Sequence, residues 1–155
     1  MNTSALIAGM GNRARRDDGV GPAVVERIRT RGDAVGCALW EGNDPLDLVA
    51  RCTDTALVVV IDATRSGAPA GTVKVFELTA GSVPGGTVTS THGLGVAAAV
   101  RLARALGRAP RRVVLVGVEG GDFRVGDGLS PAVAAVVDWA AAVTTEVARE
   151  AGACA

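Results

Sequence analysis

Apolar residues in this chain fall into short runs separated by glycine-rich or charged turns, and the period within each run predicts the element. Residues 56–61 (Ala-Leu-Val-Val-Val-Ile) form an unbroken apolar stretch rich in β-branched side chains, the mark of a strand buried on both faces. Residues 4–8 and 112–117 repeat that pattern, and residues 37–40 form a shorter strand. Residues 72–78 alternate with period two, as a strand with one wetter face does. Between these runs the spacing turns helical. Pro22 suits the first turn of a helix through Val24, Val25 and Ile28. Asp44 and Pro45 read as an N-cap and first-turn proline before Leu46, Leu48 and Val49. Leu94, Ala97, Val100, Leu102, Ala103 and Leu106 make a broad stripe along a helix over residues 93–106. Ser130 and Pro131 cap a final helix that runs to about Arg149, with residues 150–155 as a frayed tail. Residues 13–18, 81–86 and 119–129 are loops.

The order β-α-β-α-β-β-α-β-α, without repeats, low-complexity tracts or a linker, predicts one domain over residues 1–155. Its class is α/β with three layers: a twisted, mostly parallel five-stranded sheet flanked by helices on both faces. Composition supports this. The chain is 48% apolar but only 3% aromatic and lacks tyrosine, so Val, Ala, Leu and Ile must build the core. Sixteen basic and sixteen acidic residues cancel, which argues against a nucleic-acid partner. No stretch has the length of a membrane span, and the apolar run at residues 5–10 is too short for a signal peptide. A cytoplasmic protein is expected. Its three cysteines, Cys37, Cys52 and Cys154, form no CxxC pair and read as reduced structural thiols.

Candidate chemistry centres on Asp18, Asp62 and the only histidine, His92. Each follows, or ends, a strand-like segment, and in an open α/β sheet such positions converge on the crevice at the carboxyl edge. Asp62 directly follows the most apolar strand, where an unpaired carboxylate is costly and needs a partner or a metal. Imidazole with two carboxylates suits borderline divalent metals such as zinc or nickel. Bland roles compete: Asp17 and Asp18 as helix caps, Asp62 as a cap for residues 63–67, Asn12 as a local turn bond, and residues 13–16 as a solvated arginine face. That arginine run would otherwise meet an acidic partner segment or a chain terminus. Gly9, Gly11 and Ala14 fit a GxGxxA dinucleotide fingerprint, but no helix starts at the glycines and two carboxylates would crowd the phosphates. A Ser90–His92–Asp62 triad lacks a nucleophile elbow.

The blocks Gly-Met-Gly-Asn-Arg-Ala-Arg-Arg-Asp-Asp-Gly-Val-Gly (9–21), Val-Val-Ile-Asp-Ala (59–63) and Ser-Thr-His-Gly-Leu-Gly (90–95) resemble the hydrogenase maturation protease family. Residues 116–120 and 128–131 resemble its C-terminal blocks, so the likeness runs in order over nearly the whole chain. The resemblance implies a cytoplasmic endopeptidase that removes the C-terminal extension of a nickel-loaded [NiFe]-hydrogenase large-subunit precursor, and a mostly parallel sheet between helices. It implies that Asp18, Asp62 and His92 form the metal-reading trio, with nickel carried by the substrate and other divalent metals able to occupy the site. Asp18 stands where some relatives carry glutamate. Residues 40–45 replace a more glycine-rich turn, and Glu41, Gly42 and Asn43, with Asn12 and Asp17, fall on the implied substrate loops. A metal at the trio would polarise the scissile carbonyl or activate water, or the trio would serve recognition with a carboxylate as general base. Engagement of one large precursor suits a monomer. The rival reading keeps the fold without the chemistry: a non-proteolytic, chaperone-like module that binds nickel or the precursor.

Overall fold

The structure is a computed structural model that describes residues 5–53, 55–78, 95–152 and the backbone of 89–90. Its sheet runs in the order β2-β1-β3-β6-β4. The strands are β1 (Ala5–Met10), β2 (Ala38–Gly42), β3 (Leu57–Arg65), β4 (Val73–Glu77) and β6 (Arg112–Glu119). β1, β2, β3 and β6 are parallel, and β4 closes one edge antiparallel to β6. A two-residue strand, β5 (Thr89–Ser90), pairs antiparallel with the end of β3 and adds to the five expected strands. The helices are α1 (Val20–Arg31), α2 (Pro45–Arg51), α3 (Gly95–Ala105), α4 (Pro131–Ala134) and α5 (Val137–Glu150).

Strand alternation divides the core into two layers. On one face Ile7 of β1, Val59 and Ile61 of β3, and Val114 and Val116 of β6 pack with Val24, Val25 and Ile28 of α1 and with Ala140 and Ala141 of α5. On the other face Leu6 and Ala8 of β1, Val58 and Val60 of β3, and Leu115 of β6 pack with Leu48 of α2 and with Val96 and Val100 of α3. Covered on both faces, β3 is buried from Leu57 to Thr64, which is why its sequence shows no alternation. Asp44 caps α2 as expected, its side chain accepting from the Leu46 N–H at 2.9 Å.

Several expectations need correcting. β3 continues beyond Ile61 to Arg65, so Asp62 lies inside the strand rather than after it, and the cap reading for residues 63–67 fails. The last helix is two: α4 stops at Ala134 and α5 starts at Val137. Ser130 stands at the N-cap of α4 without a side-chain cap bond, and its hydroxyl donates to Asp17 instead. Residues 16–18, expected as loop, form with Gly19 a 3-10 turn ahead of α1. Cys37 is disulfide-bonded, against the reduced reading, whereas Cys52 is a free thiol in the core.

The order of strands fixes where a site can form. From β1 the chain crosses to β2 on one side, and after β3 it supplies β4 and then β6 on the other. The helix after β1, α1, covers one face; α3, after β3, covers the other. The carboxyl edge between β1 and β3 is therefore a topological switch point, the usual crevice for ligands in such sheets.

Candidate active site

Two glycines set the shape of this edge. α1 begins against the strands so closely that a Cβ on Gly21 would lie 2.6 Å from the Ile61 carbonyl oxygen. Gly11, at φ +152°, passes the Asp18 carbonyl with no room for a side chain. Gly11 donates its N–H to the Gly42 carbonyl at 2.9 Å, tying the first loop to the end of β2. Arg16, with φ +46°, takes the left-handed backbone that non-glycine residues seldom adopt, and it leads directly into Asp17 and Asp18.

Asp17 and Asp18 sit on the 3-10 turn, which packs against β3, and they have different surroundings. Asp17 is fully buried. Its Oδ2 accepts from the N–H groups of Gly121 and Asp122 at 2.9 Å each and from the Ser130 hydroxyl at 2.8 Å. Its Oδ1 accepts from the Ser130 N–H at 2.7 Å. Burial works against ionisation, but the Gly121 N–H, the two Ser130 donors and the Asp122 N–H outweigh it and hold the carboxyl below its ordinary value. Asp17 is thus neither a helix cap nor a loop group facing substrate; it ties the 3-10 turn to residues 121–130. Asp18 is also buried, and its Oδ2 accepts from the Asn12 N–H at 3.1 Å.

Asp62 is fully buried and lies opposite Gly117 of β6. By alternation it shares the face of Val58 and Val60, the one covered by α3. α3 begins at Gly95, just beyond His92 in sequence; His92 itself lies outside the described residues. Among the described residues no group of three His, Cys, Asp or Glu side chains is placed to hold a metal ion. The structure thus brings the Asp18 turn onto the strand that carries Asp62. As a donor set the two buried carboxylates fit a divalent ion better than an anion.

The outlying site residues divide. Asn12 makes the local turn bond, its Oδ1 accepting from the Ala14 N–H at 2.9 Å. Glu41 pairs with Arg13 at 3.2 Å on the surface, and Gly42 supports Gly11 through its carbonyl. Asn43 is exposed.

Sequence reasoning missed Glu119. It ends β6 only 3% exposed and accepts four hydrogen bonds: Thr64 Oγ1 at 2.8 Å, Ser66 N–H at 2.7 Å, Ser66 Oγ at 2.9 Å and Gly67 N–H at 3.1 Å. Burial opposes its ionisation, and the Ser66 N–H, the Thr64 and Ser66 hydroxyls and the Gly67 N–H together lower its pKa. The signal was present. Glu119 follows an apolar run just as Asp62 does, and four hydrogen bonds meet its carboxylate's needs.

Comparison with known proteins agrees with this architecture. The family model described as hydrogenase maturation protease matches residues 22–147, which include Asp62 and His92 and begin just after Asp18. The chain is 29% identical over 150 residues to the hydrogenase expression/formation protein HupD of Thiocapsa roseopersicina, covering 88% of this chain and 67% of HupD. It is 29% identical over 119 residues to HoxM of Cupriavidus necator, covering 74% of this chain and 58% of HoxM. In fold it matches the hydrogenase maturating endopeptidase HybD from E. coli with a TM-score of 0.81 at 23% identity, over 96% of this chain and 94% of that one. HybD from Thermococcus kodakarensis matches with a TM-score of 0.75 at 23% identity, over 94% and 99%. No helix among the described residues is long and apolar enough to cross a membrane. The chain belongs to the hydrogenase maturation protease family.

Proposed function

We propose that this protein removes the C-terminal extension of a nickel-loaded [NiFe]-hydrogenase large-subunit precursor, with Asp18, Asp62 and His92 reading the nickel that the substrate carries. The observation that carries this reading is the meeting, at the switch point, of the 3-10 turn bearing Asp18 with the strand bearing Asp62, both side chains buried. Nickel belongs to the substrate, and two carboxylates with one imidazole are ligands that a borderline divalent ion accepts; other divalent ions would take the same place. By holding the precursor's metal, the trio positions the scissile peptide beside it. A carboxylate of the trio then serves as general base toward water, or the metal polarises the carbonyl. The reaction belongs in the cytoplasm, and the protein acts as a monomer on one large precursor.

The test is intact-mass spectrometry of nickel-loaded precursor incubated with wild type and with His92→Ala. Loss of a discrete C-terminal peptide with wild type alone supports the reading. Normal cleavage by His92→Ala removes His92 from it, and a stable complex without cleavage by either protein favours a binding module.

A further inference from the structure

The arginine run of the first loop is not absorbed by this reading. Arg13 pairs with Glu41 and Arg16 lies 3.6 Å from Asp122, but no carboxylate among the described residues pairs with Arg15. Its guanidinium donates instead, through Nε and Nη2, to the carbonyl of Phe123 at 3.4 and 3.3 Å. Arg65, exposed at the end of β3, lays its guanidinium over the Phe123 ring at 4.0 Å from the centroid. One phenylalanine therefore holds two cations from distant parts of the chain, one through its backbone and one through its ring. Both line an open cleft of about 900 Å³. That is near the upper end of the size range for specific ligand sites, about 300–1,000 Å³.

The carboxylates of this cleft are already committed. Glu119 is buried and accepts the four bonds described above. Asp122 is held by Arg124, with bonds at 3.0 and 2.8 Å, and by Arg16. Beside them the cleft presents the exposed guanidiniums of Arg15 and Arg65, each anchored on Phe123, whose planar donors match carboxylates. Its floor adjoins the candidate active site from two sides. Gly121 and Asp122 donate to Asp17, the neighbour of Asp18, and the Gly120 N–H donates to the carbonyl of Thr64, on the same strand face as Asp62.

We infer that the cleft docks an acidic polypeptide segment of the precursor next to the cleaved bond, its side-chain carboxylates pairing with Arg15 and Arg65. The inference rests on the protease reading of the neighbouring carboxylates.

The test uses the Arg15→Gln/Arg65→Gln double variant, with both changes at exposed side chains. The first readout is fluorescence polarisation of a short fluorescein-labelled Glu/Gly peptide, with its Gln/Gly counterpart as control and inorganic phosphate as competitor. Wild type should prefer the Glu peptide, the double variant should weaken its binding about tenfold, and raising salt from about 50 to about 200 mM should weaken it further. The second readout is cleavage of nickel-loaded precursor. KM should rise about tenfold with kcat within about twofold, and Arg15→Lys/Arg65→Lys should restore only part of the loss. Equal binding of the two peptides, displacement by phosphate at the concentration of the peptide itself, or an unchanged KM in the double variant overturns the cleft assignment and leaves the protease reading standing. Glu-peptide binding that depends on Arg15 and Arg65, without precursor cleavage by wild type, supports the cleft and counts against the protease reading.

Discussion

Replacing Asp17 with alanine deletes a fully buried carboxylate that accepts four hydrogen bonds, three from backbone N–H groups and one from a hydroxyl. Hydrogen bonds to a charged group contribute about 1.5–3 kcal/mol each, and a buried donor left unpaired costs about 1–3 kcal/mol. The four share one carboxylate and do not add in full, and removing a buried charge returns part of its desolvation cost. A net loss of about 3–5 kcal/mol follows, the range seen when one partner of a buried charged network is removed. For a chain of this size each kcal/mol shifts Tm by about 2–4 °C, so Asp17→Ala should melt about 10 °C below wild type. Asp17→Asn keeps the shape but turns an N–H toward a donor, and should lose about half as much. The assay is thermal unfolding followed by far-UV circular dichroism at pH 7, with amide hydrogen exchange at Gly121, Asp122 and Ser130. These three amides should lose protection in the alanine variant more than the β3 amides do. A melting point within about 2 °C of wild type, with exchange unchanged, would refute the view that Asp17 ties the first loop to residues 121–130.

Other consequences are equally direct. Asp17 and Glu119 both have folded pKa values held below their ordinary 3.8 and 4.5, so their stabilisation is present above those values and is lost as pH falls through the lower folded ones. The urea midpoint should stay level from about pH 7 to 5 and drop below about pH 4; a midpoint still level at about pH 3 would contradict this, and Asp17→Ala should flatten the drop. Gly21→Ala places a methyl 2.6 Å from the Ile61 carbonyl oxygen, forcing α1 off the strands, and should cost about 1–3 kcal/mol by urea unfolding. An unchanged midpoint would show that α1 can shift freely. The Cys52 thiol is buried and its pKa is pushed up to about 11, so iodoacetamide near pH 8 should label it only after unfolding. Labelling of the folded protein at the unfolded rate would count against that burial.

Much of the fold is legible in the sequence because the core is built from strands and helices with clean periods. The run at residues 56–61 announces a central strand and period two at residues 72–78 another; that the latter lies antiparallel at the sheet edge, with Lys74, Val75 and Glu77 all exposed, is shown only by the fold. The break between α4 and α5 could not be read. Residues 132–137 contain no glycine or proline, and the interruption at Ala135 and Val136 has no local breaker. The site is legible only in part, and for a physical reason. A carboxylate after an apolar run must be compensated, but the run does not say by what. Asp62 and Glu119 carry the same signal, and only the fold reveals that Thr64, Ser66 and Gly67 already satisfy Glu119. Asp17 and Asp18, adjacent in sequence, take different partners. The donors of Asp17 lie more than 100 residues away, at |i−j| of 104, 105 and 113, beyond the reach of any local pattern.

The most direct test of the central claim compares one precursor in two states. Purified [NiFe]-hydrogenase large-subunit precursor, nickel-loaded or nickel-free, is incubated with the wild-type protein, and each product is weighed by intact-mass spectrometry. The account predicts loss of a discrete C-terminal peptide from the nickel-loaded form alone. Equal cleavage of both forms would contradict the reading of nickel by Asp18, Asp62 and His92, and cleavage of neither, with a stable complex formed, would contradict the protease assignment itself.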